Sequence, residues 1–101
     1  MDCNVEAVIN GLKYKINVID KLSEPDCIGC CTFETQTIEI YNGLSNEQKI
    51  KTFIHELTHA FMWCYGYHDV KFNQETVCNF IGYFFEEMNK IVKEFIENEI
   101  K

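Results

Sequence analysis

The apolar residues of this 101-residue chain change period once, and that change limits the folds open to it. Up to Tyr41 they alternate; from Ser45 onward they recur every three or four positions. In Leu12–Ile19, Leu12, Tyr14, Ile16 and Val18 share one face, and Lys13, Lys15 and Asn17 share the other. Val5–Ile9 precedes this run across Asn10-Gly11, a pair suited to a two-residue turn in which both central residues need positive φ. A β-hairpin is therefore expected. Residues 20–26, with the single proline, read as a loop or short helical turn. Residues 32–41 are rich in Thr, Ile and aromatics and read as one strand or two short ones.

Ser45-Asn46-Glu47-Gln48 has the form of a capping box. Ile50, Phe53, Ile54, Leu57, Phe61 and Tyr65 follow at helical spacing, and Gly66 is a natural stop. Asn73 can cap a second helix whose broad stripe is Val77, Phe80, Ile81, Phe84, Met88, Ile91, Val92 and Phe95. The expected architecture is α+β: a small antiparallel sheet followed by two helices, forming one domain over residues 1–101.

Nine Lys, no Arg and sixteen Asp plus Glu give a formal charge of −7. Such a chain is repelled by nucleic acid and anionic membranes and lacks the Arg forks that read phosphate. No apolar run approaches the roughly 20 residues of a membrane helix. The start, Met1-Asp2-Cys3-Asn4, reads as neither signal nor transit peptide, so the reducing cytosol is the expected compartment and the six Cys are expected as free thiols. Cys27-x-x-Cys30-Cys31 looks like half a zinc knuckle, but the chain holds no second such pair.

The first helix carries His55-Glu56-Leu57-Thr58-His59, an HExxH motif. Positions four apart on a helix lie about 40° apart and about 6 Å along the axis, so both imidazoles can reach one ion. Glu56 leaves the helix at another angle, where it can reach a water held by that ion. A random shuffle of this composition yields the motif roughly once in a hundred tries. On a helical wheel the two His lie opposite the stripe of Phe53, Ile54, Leu57 and Phe61, beside Met62 and Trp63. Some other part of the fold must cover that apolar pair.

A catalytic zinc site takes three protein ligands and keeps one position open. Candidates for the third are His68, Asp69, Glu75 and the Glu86/Glu87 pair; Tyr65 stands where one HExxH class has a third His. Glu75, in the first turn of the second helix, ranks first because a short helical hairpin would bring it opposite the imidazoles; His68 ranks second. An acidic residue is also favoured there by the helix dipole alone. Asn79, one turn on, could accept a hydrogen bond from His55, or Glu75, Asn79, Gly82 and Glu86 could simply form a wet face. Tyr65, Tyr67, His68 and Tyr83 are candidate hydrogen-bond donors to a transition state.

His55-Glu56-Leu57-Thr58-His59, preceded by Ile38-Glu39-Ile40 and followed by Glu75-Thr76-Val77-Cys78-Asn79-Phe80, resembles the small gluzincin-type metallopeptidases of phages and prophages, related to the ImmA/IrrE metallopeptidase group. The likeness covers most of the chain and extends to the Asn10-Gly11 hairpin and the Gly29 loop. It implies a minimal zincin-like fold, Zn²⁺ held by His55, His59 and Glu75, and Glu56 as catalytic base. It further implies that the strand Thr37–Tyr41 is the edge on which a peptide substrate aligns. The protein would act on a protein or peptide in a bacterial host's cytosol. The long apolar stripe from Val77 to Ile100, for its part, reads first as packing on the sheet and first helix of a monomer and second as a homodimer interface.

Overall fold

The computed structural model describes residues 5–100. The expected hairpin forms: β1 (Val5–Ile9) pairs antiparallel with β2 (Leu12–Ile19), Ile9 opposite Leu12. Its turn has φ of 49° at Asn10 and 82° at Gly11, the two positive values such a turn requires. Val5, Ala7, Ile9, Tyr14 and Ile16 are buried on one face, while Lys13 and Lys15 lie exposed on the other. Leu12, next to the turn, is 41% exposed and stays out of the core.

Residues 32–41 do not form one strand. β3 (Gly29–Thr32) and β4 (Thr37–Tyr41) pair antiparallel across a turn at residues 33–36. Gln36 takes the positive φ, 53°, that glycine or asparagine usually supplies. It is held there by two hydrogen bonds to β2: its Nε2 donates to the Lys13 carbonyl at 2.7 Å, and its own carbonyl accepts from the Lys15 amide at 2.9 Å.

The sheet runs β1-β2-β4-β3, and β4 is parallel to β2. The expectation of an antiparallel sheet is thus corrected to a mixed one. Parallel neighbours need a connection of about a dozen residues or more, and here residues 20–36 supply it without a helix. The chain leaves β2, skips one position, descends as β3 at the edge and returns as β4 into the gap. A second correction follows: Thr37–Tyr41 is an interior strand, and the edge beside it is β3.

α1 (Asn46–Cys64) begins at Ser45, whose hydroxyl accepts from the Gln48 amide at 3.2 Å. It ends at Gly66 (φ 80°), where Gly66 N–H donates to the Trp63 carbonyl and Tyr67 N–H to the Met62 carbonyl, a Schellman closure. Asn10 Nδ2 donates to the Cys64 carbonyl at 2.8 Å and ties the hairpin turn to this helix end. α2 (Gln74–Glu99) begins at Asn73, whose Oδ1 accepts from the Thr76 amide at 2.9 Å.

Phe53, Leu57 and Phe61 of α1 are fully buried with Tyr14, Ile16, Ile38 and Ile40 of the sheet, and Phe95 of α2 stacks on Phe53 at 4.1 Å. Phe80, Met88 and Ile91 join that core, but Val77, Ile81 and Phe85 remain 45%, 48% and 58% exposed. Packing on the sheet and α1 therefore covers only part of the long stripe. The radius of gyration, 13.4 Å, matches the ~13 Å of a compact globule this long. Among the described residues no helix is long and apolar enough to cross a membrane.

Candidate metal site

The side of α1 that faces the protein is Thr52, Phe53, Glu56, Leu57, Ala60 and Phe61. Relative to the hydrophobic wheel it is rotated: Ile54 is 41% exposed, whereas Thr52 and Glu56 are buried. β3 causes the rotation. Its Gly29 sits against α1 so closely that a Cβ there would stand 2.5 Å from Thr52 Cγ2 and 3.2 Å from both Cγ and Oε2 of Glu56. Only a residue without a side chain lets strand and helix approach this far. The lid over the HExxH glutamate is therefore the start of the edge strand.

His55 and His59 remain exposed on the adjoining face, with their Nε2 atoms 3.2 Å apart and their rings nearly perpendicular, at 77°. Two nitrogens on one tetrahedral zinc, each about 2.0–2.1 Å from it, stand about 3.3 Å apart. The pair thus converges at the separation one ion requires. Burial raises the pKa of Glu56 above the ordinary carboxylate value, and the positive charge available at His55 and His59 opposes that rise. A carboxylate made more basic in this way is a better proton acceptor. Cys31, on the same face of β3 as Gly29, has its thiol pushed up to about 12 by burial and by the Glu56 charge.

The apolar pair beside the histidines is covered in part: Met62 is half-buried and Trp63 stays 43% exposed. Phe33, from the β3–β4 turn, stacks flat on Trp63 with centroids 4.5 Å apart, and His68 lies against the same indole at 4.4 Å. Two recesses flank the site along β3. Near Gly29, one of about 450 Å³ is lined by Asp26, Cys27, Gln48, Lys51, His55 and Glu56. Near Phe33, one of about 320 Å³ has His59 and His68 in its wall together with aromatic and aliphatic side chains.

The sequence candidates separate accordingly. His55, Glu56 and His59 stand together; Glu75 lies exposed in the first turn of α2 and is not gathered with them. The described residues contain no group of three His, Cys, Asp or Glu side chains placed to hold one metal ion. His68 is within 3.6 Å of its neighbour Asp69 and shares the recess of His59. Asn79 and Glu86 are exposed, and a Cβ on Gly82 would meet open space, so no close helix approach occurs there. Of the candidate donors, Tyr67 and His68 reach the His59 side, whereas Tyr65 donates to Glu87 at 3.4 Å and Tyr83 is 75% exposed.

The five described cysteines, Cys27, Cys30, Cys31, Cys64 and Cys78, are free. Cys3 and the rest of the chain start lie outside the described residues. The sequence singles out Gly29 only as part of a loop, whereas it opens strand β3, and it does not single out Phe33. A glycine inside a strand pattern is a standing signal of close backbone approach, and it applied here. Nothing in the residue pattern marked Phe33. No family model, curated protein or solved structure matches this chain.

Proposed function

We propose that this protein is a zinc-dependent peptide hydrolase of minimal zincin-like form. The observation that carries the reading is the convergence of His55 and His59 Nε2 at 3.2 Å beside a buried glutamate of raised pKa. His55 and His59 would hold the metal; the resemblance to gluzincin-type phage and prophage metallopeptidases implies Glu75 as third protein ligand, which stands apart from the histidines in this structure and would have to move to reach the ion. Bound there, zinc would supply Lewis-acid polarisation of the scissile carbonyl and lower the pKa of the attacking water. Glu56 takes a proton from that water and returns one to the leaving amine. The free edge of β3, beside Glu56 rather than remote from it, supplies backbone groups on which an extended peptide aligns. The net charge of −7 fits a protein substrate rather than nucleic acid, and free thiols fit a bacterial host's cytosol.

A second reading is a zinc-binding regulatory protein without turnover. It draws on His68, which shares the recess of His59 and could close the open position as a further ligand. Metal analysis tests both. Wild type should bind one zinc, His59→Ala should lose it, and Glu75→Ala should weaken it; full affinity in Glu75→Ala overturns that third ligand. Glu56→Gln should keep the metal yet lose cleavage by about 10²–10⁴-fold. Cleavage unaffected by that change removes Glu56 from the chemistry, and no cleavage of any peptide by zinc-loaded wild type favours the regulatory reading.

A further inference from the structure

Both recesses present mostly apolar surface, but their side chains differ: the one at the Gly29 end carries Asp26, Gln48 and Lys51, whereas the one at the Phe33 end has no acid or lysine and sets Phe33, Met62, Trp63, Val70 and Phe72 beside His59 and His68. Trp63, Val70 and Phe72 are each about two-fifths exposed, at 43%, 41% and 40%. Three large apolar side chains left open around one concavity mark a binding surface rather than scattered exposure. The concavity has His59 in its wall and begins where β3 ends, since Phe33 follows Thr32 directly. A chain paired along the edge of β3 would therefore deliver a side chain into it.

We infer that this recess is the specificity pocket of the site and takes a bulky apolar side chain, aromatic or leucine-like, of an extended peptide. The direction of the peptide follows from the strand. β3 starts against Thr52 and Glu56 and leads to Phe33 over Trp63, so it runs the same way as α1. Antiparallel addition, the more stable ladder, then places the apolar residue on the N-terminal side of the bond that faces the histidines. Phe33 stacks on Trp63 with the two planes 5° apart, so this part of the wall is held before a ligand arrives.

This pocket rests on the peptide-hydrolase reading for its purpose, but its occupancy is measurable without catalysis. Trp63 is the only tryptophan, so its emission reports the pocket directly. Acetylated and amidated alanine-rich hexapeptides carrying one Phe, Leu, Asp or Lys would be titrated into Glu56→Gln, with zinc and with chelator. The Phe and Leu peptides should shift the emission saturably, and the Asp and Lys peptides should bind roughly tenfold more weakly. Val70→Asp, an exposed loop change, should weaken the Phe peptide roughly tenfold with the far-UV spectrum unchanged. Equal binding of all four peptides, no saturable shift, or an unaffected Val70→Asp would each overturn the pocket. Selective binding without cleavage by wild type would instead leave the pocket standing and overturn the hydrolase.

Discussion

At the scale of single residues, the site sets stability against chemistry. Glu56 is buried under Gly29, and its folded pKa is raised by that burial. A carboxyl with a folded pKa above its unfolded one favours the folded state fully at low pH and loses that contribution as pH rises through the folded pKa. Glu56→Gln removes the ionisation. The metal-free variant should therefore melt above wild type at pH 8, and the difference should shrink as pH falls toward 4 and the wild-type carboxyl protonates; differential scanning across that range checks it. The same burial governs the thiols. Cys31, pushed up to about 12, should alkylate far more slowly at pH 8 than exposed Cys27 and Cys78, as peptide mapping after iodoacetamide would show. The HExxH residues were legible in the sequence because helical spacing alone brings His55 and His59 together. The burial of Glu56 was not, since it depends on a strand that meets the helix only in three dimensions.

At the scale of elements, the contact of β3 with α1 is the joint most open to test. Gly29→Ala would drive a methyl group into Thr52 Cγ2, and an overpacked contact of this kind destabilises by about 1–3 kcal/mol. Thr52→Ser removes that methyl, so the double variant should recover much of the loss; urea melts of the three variants would measure the coupling, and strict additivity would deny the contact. Asn10→Ala loses both a residue tolerant of positive φ and the hydrogen bond to the Cys64 carbonyl, and should cost about 1–2 kcal/mol. The helices and the first hairpin were legible because their signals are local: the Ser45 and Asn73 caps, Gly66, and Asn10-Gly11. The pairing of β2 with β4 was not. Alternation reports which face a strand buries and is silent on its neighbour, and the 33–36 turn uses Gln36 where residue preferences point to Gly or Asn.

At the scale of the whole molecule, one core joins the sheet to both helices, so a ligand at the histidines should be felt by the entire fold. If zinc binds the folded chain alone, a free concentration 100-fold above its Kd adds about 2.7 kcal/mol, visible as a rise in melting temperature that chelator reverses. His55→Ala should abolish the rise while leaving the metal-free melting temperature nearly unchanged, because His55 is exposed. The exposed row of Val77, Ile81 and Phe85 belongs to this scale as well: the three recur every four residues, on a side of α2 other than the one that buries Phe80. The route of the chain between β2 and β4 has its own bearing on how such a site can diversify. Residues 20–28 join β2 to the edge strand, and Asp26 and Cys27 of that span already line the recess at the Gly29 end. A longer span there would leave the register of β3 on β4 untouched, and doubling a flexible loop adds only about 0.6 kcal/mol of closure entropy. The size of that recess is therefore an adjustable dimension, open to insertion and deletion while the helix bearing His55, Glu56 and His59 stays as it is.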